Sequence, residues 1–167
     1  TNTTGELYIH GKKTVLKNVS EAIENKIAYV TEDRKGNGLI LSNPITVNTT
    51  LANLSSVSSK RGVIDMDKEV QVAKDYVDKL KTKCPTVQQN VGNLSGGNQQ
   101  KVLLAKWMFA NPDIMILDEP TRGIDVGAKY EIYCIINNLV AEGKSVIMVS
   151  SELPEVLGMS DRIYIMN

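Results

Sequence analysis

The second half of the chain alternates short apolar segments with longer amphipathic ones, and this alternation limits the folds open to it. The apolar positions predict helices over residues 98–110 and 126–142 and buried strands over 113–117, 145–149 and 162–166. Strands that are apolar at every position are typical of a parallel sheet with helices on both faces, because parallel strands are joined by crossover helices. The alternation therefore predicts an α/β fold.

The first half of the chain has a different pattern. Residues 6–10 predict a short strand and turn, and residues 27–30 form a second apolar run. One amphipathic helix is predicted over residues 67–83. The segment from about 44 to 94 shows no alternation of strands and helices. We therefore expect a helical insertion there, in front of a core at about 98–167.

Charge and composition exclude several classes of protein. The 19 basic and 19 acidic residues cancel, so no overall field favours nucleic acid or an anionic membrane surface. No apolar run approaches the roughly 20 residues that cross a bilayer, and no segment resembles a signal peptide. Cys84 and Cys134 are far apart in sequence, which argues against a structural zinc site. The composition fits a reducing, cytosolic setting.

The strongest single motif is Leu-Ser-Gly-Gly-Asn-Gln-Gln-Lys at residues 94–101. Its two glycines let the backbone approach a ligand without obstruction by side chains. The helix that follows directs free N–H groups and its positive dipole end to the same place, which suits a phosphate, and Ser95 adds a hydroxyl. A flexible turn before a helix would explain a bare Ser-Gly-Gly equally well, whereas the full run of eight residues is far more specific.

A pair of carboxylates follows the predicted strand at 113–117. Asp118 and Glu119 stand at its carboxyl end, before Pro120, where a metal ion and an attacking water can be held. A solvated loop is the alternative for so short a motif on its own. Asp125, a few residues later, can also cap the next predicted helix.

Taken in order, these segments resemble the ABC transporter family of ATPases. Residues 94–101 resemble its signature motif, residues 114–120 its Walker B element and residues 121–125 its D-loop. The resemblance extends over nearly the whole chain. It implies a fold like that of P-loop NTPases, in which a parallel sheet with helices on both faces carries a helical subdomain.

More narrowly, the chain is similar to the carboxy-terminal cassette of tandem monosaccharide-import ATPases of the ribose, galactose and xylose type. The similarity lies in residues 32–35, 94–101, 118–133 and 150–155. The family's phosphate loop, GxxxxGK[ST], does not occur in the chain, and the resemblance places it before Gly5. Residues 1–167 are thus expected to be a partial nucleotide-binding domain without its amino-terminal Walker A part. Alone, it is expected to be inactive and, because its sheet is incomplete, to self-associate or swap elements.

The resemblance also implies a role for each site residue. Glu119 would activate the attacking water, and Asp118 would hold Mg²⁺. Ser151 would take the position of the family's switch histidine, and Glu32 that of its Q-loop glutamine, beside the metal. The residues expected to contact nucleotide or the partner cassette are Leu94, Ser95, Gly96, Gly97, Asn98, Gln99, Glu32 and Asp125.

Two of these positions depart from the family pattern. A carboxylate at Glu32 adds negative charge beside a triphosphate. Residues 32–35 could instead form a solvated loop, or contact a membrane subunit through Arg34 and Lys35. Ser151 can hydrogen-bond a γ-phosphate but cannot carry a proton as imidazole does. The only histidine, His10, is expected to be an incidental surface residue.

The resemblance implies an ATP-hydrolysing subunit that couples energy to monosaccharide import, with ATP and Mg²⁺ as cofactors. Its expected partners are the other cassette of the same parent chain, membrane permease subunits and, indirectly, a periplasmic or lipoprotein sugar-binding protein. It would lie at the cytoplasmic face of the membrane, and no nucleic acid partner is expected. Two alternatives remain: a soluble ABC ATPase of translation or DNA repair, and a non-catalytic interaction module. The branch that imports xylose or several monosaccharides is favoured, but the sequence leaves the sugar open.

Overall fold

The computed structural model describes residues 5–166, so residues 1–4 and 167 of the expected domain lie outside the described residues. In chain order the elements are β1 (Leu7–Ile9), β2 (Lys12–Thr14), α1 (Val19–Glu24), β3 (Ile27–Val30), a π-helical turn (Arg34–Gly38), α2 (Ile45–Thr50), a 3₁₀ helix (Leu51–Val57), α3 (Met66–Lys79), a 3₁₀ turn (Val91–Asn93), α4 (Gly96–Phe109), β4 (Ile114–Asp118), α5 (Val126–Ala141), β5 (Ser145–Val149) and α6 (Leu153–Met159). No helix within residues 5–166 is both long and apolar enough to cross a bilayer.

A parallel sheet with the strand order β3-β4-β5 lies at the centre of the protein. Its register places Val30, Leu117 and Met148 side by side on one face. The strands predicted at 113–117 and 145–149 are confirmed to within one residue, and the α/β class is confirmed with them. Because all three strands run in the same direction, the segments that follow them meet at one edge of the sheet.

The first two strands form a separate antiparallel hairpin. His10 and Gly11 make its turn with φ angles of 50° and 74°. Glycine adopts a positive φ without strain. His10, at the exposed tip of the hairpin, belongs to a residue type that adopts a positive φ more often than most. The strand and turn predicted at 6–10 are thus confirmed, and His10 is exposed as expected.

Helices α4 and α5 cover one face of the sheet. Leu103 of α4 and Ile132 of α5 pack with Val30, Met115 and Leu117 in the main core, and each of these five side chains is fully buried. The opposite face is open in the described part of the chain. Its side chains Tyr29, Ile147 and Val149 are 48%, 54% and 51% exposed. Of the two sheet faces that the sequence predicts to be covered, the described helices therefore cover one.

The strand predicted over 162–166 is wrong. Residues 163–166 form no strand, and their side chains are exposed, from 40% at Ile163 to 93% at Met166. A strand needs a neighbour to pair its backbone groups, and apolar side chains alone do not supply one. Within residues 5–166, β5 pairs with β4 alone.

Helix α3 ends four residues before the end predicted at residue 83. Lys81, just after the helix, has a φ of 51°, and its carbonyl oxygen accepts a hydrogen bond of 2.8 Å from Lys101 Nζ. The Lys101 side chain is 1% exposed and forms a 2.7 Å ion pair with Glu131. A buried ammonium requires such acceptors, so the contact with α4 fixes the backbone just beyond α3 in a non-helical conformation.

The segment at 44–94 contains helices and isolated β-bridges. None of the strands β1 to β5 lies among its described residues. Its polar side chains are partly buried and bonded internally. The fully buried Asn48 accepts a 2.8 Å bond from the Ile40 N–H and donates a 2.9 Å bond to the Ile40 carbonyl. Thr50 donates a 2.8 Å bond to Glu69. A segment rich in Ser, Asn and Thr can therefore pack as helix. Its assignment as a separate helical insertion stays a prediction.

Candidate functional site

Asp118 lies at the carboxyl end of the central strand β4, where its backbone pairs with Val149 of β5. Its Oδ2 atom accepts a hydrogen bond of 2.6 Å from the Tyr29 hydroxyl of β3. This bond to a carboxylate raises the pKa of Tyr29. Tyr29 was not predicted as a site residue. The alternation of β3 places it on the same sheet face as Asp118, but the strand register needed to see this is not readable from the sequence.

Glu119 follows β4 directly and has a φ of 46°. A positive φ is uncommon for a residue with a Cβ and costs about 1–3 kcal/mol, so the surrounding contacts must hold it. The Glu119 N–H donates to the Val149 carbonyl at 2.8 Å, and its Oε1 accepts from the Ser151 N–H at 2.7 Å. The structure thus brings together Glu119 and Ser151, which the sequence named separately. The contact uses the backbone of Ser151, whereas the sequence pointed to its hydroxyl.

The motif at 94–101 forms the start of α4, with Ser95 at the N-cap position. Ser95 is exposed, and its Oγ accepts a 3.0 Å bond from the Asn98 side chain. Leu94 and Gln99 are buried, and Gln99 donates to the carbonyl oxygens of Val91 and Leu94 at 3.2 and 3.1 Å. The Leu94 and Gln99 side chains thus stabilise the turn from the protein interior. Their predicted contact with nucleotide stays a prediction.

Both glycines of the motif lie against other parts of the protein. A Cβ on Gly97 would meet the Cβ of Ala128 in α5 at 2.5 Å. A Cβ on Gly96 would lie 3.1 Å from the Arg34 guanidinium. Packing between α4 and α5 therefore requires glycine at residue 97 even without a ligand.

Two arginines join the loop after β3 to the loop after β4. Arg34 donates through Nη1 to the Arg122 carbonyl at 2.9 Å, and the Arg122 side chain pairs with Glu32. A cleft of about 290 Å³ lies between these residues, Asp33 and Lys35. Because the Glu32 and Arg122 side chains are 44% and 64% exposed, their ion pair adds little stability. The structure thus places Glu32 beside the Arg122 guanidinium. The role of Glu32 next to Mg²⁺ stays a prediction.

Asp125 caps α5, since its Oδ1 accepts a 3.0 Å bond from the Ala128 N–H. This confirms the capping interpretation. The contact of Asp125 with a partner cassette is compatible with this bond and stays a prediction.

The carboxylates at this edge of the sheet decide whether the site can hold Mg²⁺. Among the described residues no group of three or more His, Cys, Asp or Glu side chains is close enough to hold a metal ion by itself. Mg²⁺ bound with a nucleotide needs only one or two carboxylates, because phosphates and waters complete its coordination. Asp118 at the strand end fits this requirement, with Glu119 next to it in sequence.

Comparison with known sequences agrees with these motifs. The family described as ABC transporter matches residues 1–122. The L-arabinose transport ATP-binding protein AraG of Geobacillus stearothermophilus is 58% identical over 98% of the chain. The xylose import ATP-binding protein XylG of Moorella thermoacetica is 54% identical over 97%, and the ribose import ATP-binding protein RbsA of Clostridium tetani is 50% identical over 98%. The chain spans 32% of the length of each of these relatives.

Solved structures share the fold. A nucleotide-free ATP-binding cassette from an ABC transporter superposes with a TM-score of 0.78 at 19% identity, over 95% of this chain and 64% of that one. A dimeric ATP-binding cassette in a post-hydrolysis state, bound to ADP and Pi, gives a TM-score of 0.72 at 26% identity, over 91% of this chain and 65% of that one. The three-stranded sheet and its helices are therefore part of an ATP-binding cassette fold.

Proposed function

Since this chain belongs to the ABC transporter family, we propose that it is part of the ATP-binding and ATP-hydrolysing subunit of a monosaccharide importer. The observation that carries the proposal is the pairing of Glu119 with Ser151 next to Asp118, at the carboxyl edge of a parallel sheet. Ligands of open α/β sheets bind at this edge. Relatives whose names specify arabinose, xylose and ribose transport support a pentose or a related sugar as cargo.

In the cassette's own half-site, Asp118 would hold Mg²⁺ and Glu119 would orient or deprotonate the attacking water. The metal would supply neutralisation of the charge that develops on the phosphates. The Ser151 N–H fixes Oε1 of Glu119, and we assign Oε2 to the water.

The second half-site is the start of α4. The exposed Ser95 and the backbone of Gly96 and Gly97 would close over ATP held by the other cassette. An N-terminus of a 14-residue helix offers free N–H groups and a positive dipole end to the γ-phosphate. Asp125 would meet the other cassette from the loop that leads into α5.

The proposed partners follow from this arrangement. The other cassette would belong to the same longer chain, and membrane permease subunits would receive the energy of closure at the cytoplasmic face of the membrane. The 34–38 turn and the cleft beside it are our candidate for the permease contact, because Arg34 joins this turn to the loop at 122–123. A sugar-binding protein would act through the permease only.

Reconstitution of the full-length protein with its permease and sugar-binding protein in lipid vesicles tests the proposal. We expect MgATP-driven uptake of a radiolabelled monosaccharide, with arabinose, xylose and ribose offered in parallel. Uptake should be lost in the Asp118→Asn variant and kept in Asp113→Asn, which alters an aspartate at the opposite end of β4. ATP hydrolysis that is unaffected by any sugar, binding protein or permease would contradict the transport function.

A further inference from the structure

Glu155 is a buried carboxylate at the start of α6, and the site described above does not use it. Its side chain is 4% exposed. Oε1 accepts a 2.7 Å hydrogen bond from the Thr121 hydroxyl, and Oε2 accepts a short one from the Ser150 hydroxyl. Burying a carboxylate is costly unless both oxygens are bonded, so these two hydroxyls stabilise its position.

The two hydroxyl donors stand on either side of the candidate catalytic pair. Thr121 lies two residues after Glu119 in the loop that follows β4. Ser150 immediately precedes Ser151 in the loop that follows β5. The Ser150 Oγ also accepts a 3.1 Å bond from the Glu152 N–H, which closes a tight turn around Ser151. Glu155 therefore joins the two loops that present Glu119 and its amide partner.

We propose that Glu155 is a positioning residue for Glu119. By holding the Ser150 hydroxyl it fixes the turn from which the Ser151 N–H reaches Glu119 at 2.7 Å. By holding Thr121 it fixes the loop on the other side of Glu119. The inference rests on the proposed function, because it assigns to Glu155 the orientation of the group that activates water.

A carboxylate suits this task better than an amide. Both Glu155 oxygens accept, so both hydroxyls can donate to it at once. Glutamine offers one oxygen and one NH₂ group, so one of the two hydroxyls would have to turn and accept. The Ser150 Oγ already accepts from the Glu152 N–H, which makes this reversal harder on the side of Ser151. We therefore expect Glu155→Gln to keep the Ser150 bond and loosen only the loop at Thr121, and Glu155→Ala to release both loops.

The first test is steady-state ATP hydrolysis by the full-length protein. We expect Glu155→Ala to lower kcat at least tenfold while KM for ATP changes less than twofold, and Glu155→Gln to give an intermediate kcat. In a Glu119→Gln background, Glu155→Ala should have no further effect, because a positioning residue acts through the group it positions. Glu152→Ala is the matched control: it removes a neighbouring carboxylate that binds Lys129 and keeps the backbone N–H that Ser150 uses.

The second test does not depend on activity. Hydrogen exchange of the full-length protein, followed by mass spectrometry of overlapping peptides within residues 145–157 that differ by the Ser151 amide, reports this amide by difference. We expect exchange there to rise at least tenfold in Glu155→Ala and to stay unchanged in Glu152→Ala. Unchanged exchange in Glu155→Ala overturns the proposal even if the protein has no ATPase activity. Equal losses of kcat in the wild-type and Glu119→Gln backgrounds also overturn it.

The two levels of inference fail separately. A full-length protein that does not hydrolyse ATP would refute the proposed function, and hydrogen exchange would still decide the structural role of Glu155. A protein that hydrolyses ATP through Glu119, with Glu155→Ala as active as wild type, would refute only the positioning role.

Discussion

Replacing Gly97 with alanine is expected to destabilise the protein, although alanine is the better helix former. Gly97 lies in the first turn of α4, where the change to alanine would ordinarily add about 0.5–1 kcal/mol. Here the new Cβ would lie 2.5 Å from the Cβ of Ala128 and 3.5 Å from Ile124 Cγ2. Carbon atoms pack at about 3.5–4.0 Å, so α4 and α5 would have to separate by about 1 Å.

The expected magnitude follows from these two opposing effects. Overpacking of this kind costs about 1–3 kcal/mol. After the gain in helix propensity, Gly97→Ala should lower the free energy of unfolding by about 0.5–2 kcal/mol, measured by urea denaturation. The matched control is Gly158→Ala in α6. In the described part of the chain, no atom outside the helix's own backbone and the adjacent residues lies within 4 Å of a Cβ added at Gly158. Gly158→Ala should therefore raise the free energy of unfolding by up to about 1 kcal/mol.

A compensating change tests the cause of the loss. Ala128→Gly removes the atom that Gly97→Ala would strike, so the double variant should recover most of the overpacking cost. The coupling energy between the two sites should reach about 1–2 kcal/mol. A Gly97→Ala protein as stable as wild type, or no coupling between the two changes, would refute the packing argument. Stability that recovers without recovery of ATP hydrolysis would assign Gly97 a ligand contact in addition.

Three further changes test other parts of the structure. Tyr29→Phe in the full-length protein should raise the Mg²⁺ concentration for half-maximal ATP hydrolysis about threefold, or about 0.6 kcal/mol, because Asp118, the proposed metal ligand, loses its hydrogen-bond donor. Tyr8→Phe, which removes a hydroxyl bonded to a remote carboxylate, should not. The chain by itself should self-associate through its open sheet face, so Ile147→Lys should shift sedimentation velocity profiles towards monomer. Val63→Lys, at an exposed apolar side chain away from that sheet, should leave them unchanged. Burial lowers the pKa of Lys106 from 10.5, so between the lowered pKa and pH 10.5 the unfolded protein binds more protons than the folded protein. The stability of the wild type relative to Lys106→Met should therefore rise as the pH rises through that window. Urea midpoints of the two proteins that shift in parallel would contradict this.

The second half of the chain could be predicted from its sequence because its signals are local. Helix α5 begins after the cap Asp125 and ends before Gly143, and its apolar stripe has the helical period. Strand β4 lies within one residue of its predicted position, because its apolar run ends abruptly at two carboxylates.

The errors and omissions have a different origin, since they depend on residues distant in sequence. Helix α3 ends earlier than predicted where Lys101 Nζ donates a hydrogen bond to the carbonyl oxygen of Lys81, 20 residues away. The bond between Tyr29 and Asp118 joins residues 89 apart, and the bond between Thr121 and Glu155 joins residues 34 apart. Such contacts depend on strand register and on the path of the loops, which no single segment of the sequence determines.

The proposed hydrolytic role of this cassette depends on Glu119, and one comparison measures it: the ATPase activity of the full-length protein with and without Glu119→Gln. We predict that the substitution lowers kcat at least tenfold, which corresponds to about 1.4 kcal/mol of activation free energy, although Ser151 is expected to take the position of the family's switch histidine. Nucleotide affinity should stay within about twofold, since the amide keeps the shape of the side chain. Activity that barely changes would contradict the assignment and leave the start of α4 as the cassette's contribution to hydrolysis.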